Sequence, residues 1–312
     1  MTGLTRSLHV FLWSCVIVYI AISSLRINQV DIWWQLPEGL HLLHTWQLPT
    51  QAPAAFGLPP SPYFDDYAGY ELILAIIYHI GGFVGIWVIF AFAFLGIFFL
   101  PLITSPKKHR DLGLLSTLLF LAAAILMLNR FEERPDTMGS LLLVILICLL
   151  RSRTLESLDW RHLLALFTIF LFWTNTHSSF IIGLFVLFLW LAQECLIGRP
   201  FNPKLIPSGK AGLVAGIALC ACALNPYGVW RFCFPFLQQI DPGSTALSLE
   251  MQPVVLYSAP GIAIFLASLL LFFGLLSPKR PPLWLCCFAL VALIMTIKSF
   301  RYVNFLAVAL LF

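Results

Sequence analysis

The chain has 312 residues, 60% of them hydrophobic and only 10% charged, with mean hydropathy +0.93 and a formal net charge of +4. A soluble domain is about a quarter charged, so this composition excludes an ordinary soluble enzyme and predicts one transmembrane domain over residues 1–312. The apolar runs are continuous instead of alternating, which predicts spanning helices, excludes an outer-membrane barrel and leaves nothing that points to nucleic acid.

In chain order, the first apolar run covers about residues 8–25. Arg6 before it and Ala21, Ser23 and Ser24 near its end also fit a signal peptide; because more spans follow, it is read as an uncleaved first span. The next runs are about 83–104, 112–128, 138–150, 163–175, 180–196, 211–224, 256–276, 283–297 and 302–312. This predicts an all-α polytopic membrane protein with about 9–10 transmembrane helices. Several runs are shorter than the ~20 residues a bilayer needs and are expected to extend into their polar ends. The last stops at Phe312, so either it is not a span or the native chain continues.

Between these runs lie two long loops, about 26–82 and 225–258. In the first, Leu36, Leu40 and Leu43 recur at helical spacing with Trp33 and Trp46 at the flanks, which predicts a helix lying in the membrane interface. A second short helix is expected over 70–80, broken by Gly81 and Gly82, with a Pro-rich extended stretch between the two. Seven of the eight cysteines sit in or beside apolar runs and only Cys233 falls in a polar loop, so neither a disulfide nor a cysteine metal site is predicted.

Charge sets the orientation. One set of loops, from Arg6 to Lys279 and Arg280, holds 12 basic residues and four acids; the opposite set holds six basic residues and ten acids. Positive-inside bias puts the first set and the N-terminus in the cytoplasm. The stretches "DIWWQLPEG", "YFDDYAGYE", "NRFEERPD", "WTNTHSSF", "LNPYGVWR" and "KSFRYVN" then all fall on the outer face.

Within those stretches, Asp31 reads either as a capping acid or as a general base or metal-binding carboxylate. Asp65 and Asp66 read either as a turn or as part of the same site. Arg130 and Arg134 either pair locally with Glu132, Glu133 and Asp136 or, with Lys298 and Arg301, bind an anionic lipid headgroup. His177, beside Asn175, is a candidate donor to such an anion. Glu38, His41 and His44 recur at intervals of three, which drift around a helix and make a weak metal site. Asn225 and Tyr227 read first as a turn ending a span.

Together, "DIWWQLPEGLHLLHTWQLPT", "RFEERPD", "WTNTHSSFIIGL", "LNPYG", the Glu250-x-x-Pro253 pair and "FRYVNF" resemble, in order, an ordered motif set of bacterial polytopic membrane proteins related to the GT-C glycosyltransferases. The resemblance covers about residues 28–305. It departs where Ile32 follows Asp31 and where Tyr67, Ala68, Gly69 and Tyr70 replace a His-x-Trp-Leu pattern. It implies a GT-C-like bundle in the bacterial inner membrane that moves a sugar from a polyprenyl-phosphate donor to an unidentified acceptor on the non-cytoplasmic face. Asp31, with Asp65 or Asp66 as a displaced second acid, would be catalytic, and a divalent metal ion is compatible with that role. Arg130, Arg134, His177, Lys298 and Arg301 would hold the lipid phosphate, with Trp34, Asn175 and Tyr227 near the substrate. A transporter or flippase of an anionic lipid or solute, and an inactive relative serving as a scaffold, are the rival readings.

Overall fold

The computed structural model describes residues 30–49, 64–104, 114–127, 130, 132–196, 208–240, 251–255, 257–276 and 281–312, with five isolated positions between 11 and 18. The first apolar run, most of the basic loops and Glu250 lie outside the described residues. Among the described residues there are eleven α-helices and no strand: α1 (Ile32–Thr45), α2 (Ala68–Thr104), α3 (Leu114–Met127), α4 (Pro135–Arg151), α5 (Trp160–Thr176), α6 (Phe180–Leu196), α7 (Ser208–Ala223), α8 (Phe234–Ile240), α9 (Ala259–Leu276), α10 (Leu283–Lys298) and α11 (Val303–Leu310). Of these, α2 and α9 are long and apolar enough to cross a membrane. The expected extension of the short runs into polar ends is modest. Helix α5 gains one turn at its start, where the Asp159 carboxylate accepts the amides of Arg161 and His162 and ends the backbone pattern there. Pro135 fixes the start of α4, since it has no amide to give to a preceding turn.

Helix α2 is two arms. Gly82 breaks it at φ 58° and ψ −153°, a conformation essentially reserved for glycine. The arm 68–81 packs along α1, and the arm 83–104 runs into the core through Phe90, Phe94 and Phe98, all at most 1% exposed. The close approach of α1 depends on Gly39: a Cβ there would run into the carbonyl of Glu71. The buried face of α1 is Ile32, Gln35, Leu36, Gly39 and Leu42, rotated from the expected Leu36, Leu40 and Leu43 stripe because it packs on protein. Trp33 and Trp46 remain exposed as expected.

Short connections make successive helices antiparallel, so the bundle has two ends. At one, the Leu155 amide donates to Glu194 (2.8 Å), Lys210 donates to the Glu156 carbonyl (2.7 Å) and the Trp284 amide donates to Gln193 (3.0 Å). At the other end lie the start of α1, the start of α2, the α3–α4 and α5–α6 turns, the 3-10 turn Gly228–Phe232 after α7 and the turn Phe300–Tyr302 after α10. The sequence stretches singled out above are gathered there. Helix α11 is a buried eight-residue helix that packs on α3, α4 and α10.

Candidate active site

A cleft at that second end is lined by Asp31, Trp34, Gln35, Tyr67, Arg134, Pro135, Asp136, His177 and Arg301. Five sequence segments meet in it. Asp31 stands before the first turn of α1, half-buried, and its side chain caps no helix amide. Its Oδ1 instead accepts the Trp34 indole N–H at 3.3 Å. The capping reading of Asp31 therefore does not describe its side chain, and the carboxylate belongs to the cleft wall. Trp34, Arg134, His177 and Arg301 line the cleft with it.

The histidine is tightly oriented. Trp173 donates its indole N–H to Ser179 Oγ (2.9 Å), which leaves the Ser179 hydroxyl to donate to His177 Nδ1 (2.6 Å). The Ser179 amide also donates to Nδ1, at 3.1 Å. With Nδ1 accepting, the proton sits on Nε2, which faces Asp136 Oδ1 at 2.7 Å. Two glycines admit this chain: a Cβ at Gly139 would crowd Ser179, and one at Gly183 would strike the Trp173 ring. Trp173, His177, Ser179 and Gly183 of "WTNTHSSFIIG" thus each have a place. Tyr67 stacks on His177 with ring centroids 5.9 Å apart and shares a hydrogen bond with the Arg301 guanidinium.

Asp136 is the anionic centre of this group. Burial alone would raise its pKa, but His177, Arg301 and Arg130 outweigh burial and hold it below the ordinary carboxylate range. Arg130, 3% exposed, reaches Asp136 at 3.8 Å and lies over the Phe300 ring. Arg134 pairs with Glu132 at 2.6 Å while also lining the cleft. The local-pairing reading of "NRFEERPD" therefore describes both arginines, Arg130 with Asp136 and Arg134 with Glu132, and Arg134 lines the cleft as well. A second, mostly apolar cavity shares Asp136, His177 and Arg301 with the cleft and continues past Ile181, Ile182, Phe236, Met295 and Phe305.

The remaining candidates fall elsewhere. Asp65 and Asp66 line a separate pocket with Asn175, Tyr227 and Arg231, and neither Asp65 nor Asp66 lines the Asp31 cleft. Asp65 Oδ1 accepts the Tyr67 amide (2.9 Å), as a turn residue does. Its own amide donates to the Tyr227 hydroxyl at 2.9 Å. Asn175 donates to the carbonyls of Leu171 (2.8 Å) and Leu224 (2.9 Å), so it ties α5 to the end of α7. Asn225 Oδ1 accepts the Tyr227 amide at 2.8 Å, the expected turn. Lys298 is exposed at the end of α10 and lines none of these cavities. His41 is exposed and His44 bonds the Leu40 carbonyl (2.6 Å), so the expected weak metal trio does not assemble.

Glu38 turns instead toward Asp65 and Glu71, with one carboxylate oxygen from each lying within 4.8 Å of the others. Burial, then the neighbouring Asp65, pushes Glu38 up to about 7. Burial, then Asp65 and Glu38, pushes Glu71 up to about 10, and burial also raises Asp65. Arg231, 2% exposed, donates to the Thr174 carbonyl (3.0 Å) and to the Asp66 carbonyl, and stands over Phe180 and Phe234. Sequence reasoning missed the roles of Tyr67, Asp136, Arg231 and Glu71. The signal for Tyr67 was its position in a motif segment that departs from the resembled pattern.

Comparison of the chain with protein-family models, with curated proteins and with solved structures finds no match.

Proposed function

We propose that this chain is a polytopic membrane glycosyltransferase of GT-C type, moving a sugar from a polyprenyl-phosphate donor to an acceptor at the non-cytoplasmic face. The observation that carries the reading is the cleft itself. It gathers two half-buried carboxylates, Asp31 and Asp136, with Arg134, His177 and Arg301, and it shares Asp136, His177 and Arg301 with a mostly apolar cavity. That is the layout an amphiphilic donor needs: cations at the phosphate, apolar walls for the chain, and a base at the sugar side. Asp31 takes the proton of the acceptor hydroxyl as the glycosyl bond to phosphate breaks, and the lipid phosphate leaves with the bonding pair, neutralised by Arg301 and Arg134. Apolar side chains exposed along α9, among them Ile262, Phe265, Leu269, Phe272 and Leu276, support burial of that helix in lipid.

The orientation is tested by single cysteines in a cysteine-free background, at Gln47 near the cleft end and at Ser152 at the opposite end. An impermeant thiol reagent applied to intact cells should label Gln47→Cys and spare Ser152→Cys. The reverse pattern would invert the topology and remove the outer-face site.

The donor site is tested by binding. Arg301→Ala should weaken polyprenyl phosphate binding by about 1.5–3 kcal/mol, the scale of a hydrogen bond to a charged group. Arg301→Lys should recover part of that, because the charge returns without the planar fork. Undiminished binding of polyprenyl phosphate to both Arg301→Ala and Arg134→Ala would remove the site.

A further inference from the structure

Asp65 and Asp66 line one pocket and Tyr67, the next residue, lines the Asp31 cleft, so a single short segment divides the two. The pocket measures about 300 Å3, about twice the ~150 Å3 of an apolar cavity that holds one benzene ring and at the lower end of small-ligand pockets. Arg231 is built into its wall and is 2% exposed. Its Nε donates to the Thr174 carbonyl at 3.0 Å and its Nη2 to the Asp66 carbonyl, which fixes the plane of the guanidinium. Its Nη1 has no hydrogen-bond partner and stands 3.7 Å from Asp66 Oδ2, too far for a hydrogen bond. A buried charged donor left unsatisfied is costly, and here the missing acceptor belongs between Nη1 and the acid. Trp46 forms part of the rim. It lines the pocket, is 75% exposed and, at φ 57°, is the one non-glycine residue among those described with positive φ. Its amide closes α1 by donating to the Leu42 carbonyl at 2.8 Å, in a left-handed position that glycine or asparagine ordinarily fills. A tryptophan held there sets a flat apolar face beside fixed hydrogen-bonding groups.

We propose that this pocket binds a neutral sugar ring of the acceptor, with one ring hydroxyl bridging Arg231 Nη1 and the Asp66 carboxylate and with Trp46 covering one face of the ring. The acceptor role rests on the glycosyltransferase reading, whereas the binding of a neutral saccharide does not. Charge selects the ligand class. An anion entering the pocket meets Asp65 and Asp66, and a cation meets Arg231. A hydroxyl suits both sides at once: its oxygen accepts from Nη1 while its proton goes to the carboxylate. Both bonds are made to charged groups, and chained hydrogen bonds polarise one another. Thr174 and Asn175 line the pocket and His177 lines the cleft, so the sugar is held just across the end of α5 from the donor site.

The test uses the full chain, purified in a detergent without a sugar headgroup. It is titrated with the methyl glycosides of glucose, galactose, mannose and N-acetylglucosamine while thermal unfolding is followed. The expected result is a saturable rise in Tm with at least one of them, as for a ligand that binds only the folded state; solvent exclusion by sugars gives a rise that does not saturate. Trp46→Ala, at an exposed position that folding tolerates, should raise the half-saturating concentration roughly tenfold, the scale of a lost aromatic contact. Arg231→Lys should remove the response, because the ammonium keeps the charge without the planar fork. Arg301→Ala should lose polyprenyl phosphate binding and keep the saccharide response, so failure of the donor site and failure of this pocket read differently. Three results would overturn the proposal: no saturable response to any of the four glycosides, the same half-saturating concentration in the parent and in Trp46→Ala, or tighter binding of methyl glucuronide, which carries a carboxylate, than of its neutral counterpart.

Discussion

Asp31→Asn should leave a folded, correctly inserted protein whose glycosyl transfer is slower by a factor of about 10² to 10⁴, the usual cost of losing a general base. The size of the effect follows from charge, because the amide has nearly the shape of the carboxylate but cannot take a proton at neutral pH. Folding should survive for a local reason. Asp31 is half-buried, and its Oδ1 accepts the Trp34 indole N–H at 3.3 Å, a bond that the Asn carbonyl oxygen can also accept. The stability cost should therefore stay near that of weakening a hydrogen bond, about 0.5–1.5 kcal/mol, small beside the effect on rate. Asp65→Asn and Asp66→Asn give the contrast. Both acids are buried, at 1% and 7% exposure, in the pocket braced by Arg231 and Tyr227, so their changes should appear in stability before rate. The measurement is initial rate with a polyprenyl-phosphate sugar, beside melting temperature for each variant. A parent chain with measurable transfer and an Asp31→Asn variant with the same rate would end the assignment of the base.

How much of this was legible in the sequence depends on whether the cause was local. Glycine punctuation is local, and the break at Gly82 falls where two glycines interrupt an apolar run. The acid after the first apolar run is local too, and Asp31 lines the cleft. Charge placement is a sum over loops, and it sorted the two ends of the bundle before any contact was known. Pairings across the fold left no such trace. Asp136 and His177 are 2.7 Å apart in space but lie in different stretches with no shared period, so each was read with its own neighbours. Glu71 entered only as one charge among the outer loops, because nothing in "YELIL" shows that Gly39 will lay another helix on its carbonyl. The buried face of α1 could not be read for a related reason: leucine spacing marks the apolar stripe, whereas Gln35 and Gly39 are buried by the close approach of the α2 arm.

Removing Asp136 should have the largest effect on stability. Its carboxylate faces His177 Nε2 at 2.7 Å and Arg130 at 3.8 Å, with Arg301 adding its charge. Arg130 is 3% exposed and His177 is 4% exposed, so neither can turn to water when the acid is gone. Breaking a buried pair by deleting one partner typically costs about 3–5 kcal/mol, because the surviving charge stays buried. Asp136→Ala is expected to lose that much, read as a lower melting temperature or as failure to accumulate in the membrane. Asp136→Asn should lose less, since its side-chain carbonyl still accepts from His177 Nε2. The sign with pH follows from the direction of the shift. A carboxylate held below its ordinary range stabilises the fold above about pH 4, and the gain is lost as pH falls through the lowered value. The gap between the parent and Asp136→Asn should therefore close only in strong acid. A double variant, Asp136→Ala with His177→Phe, should recover part of the loss, because the histidine left behind is removed with its partner. If Asp136→Ala melts with the parent, the network is not holding this end of the bundle together, and the cleft it orients would lose its physical basis.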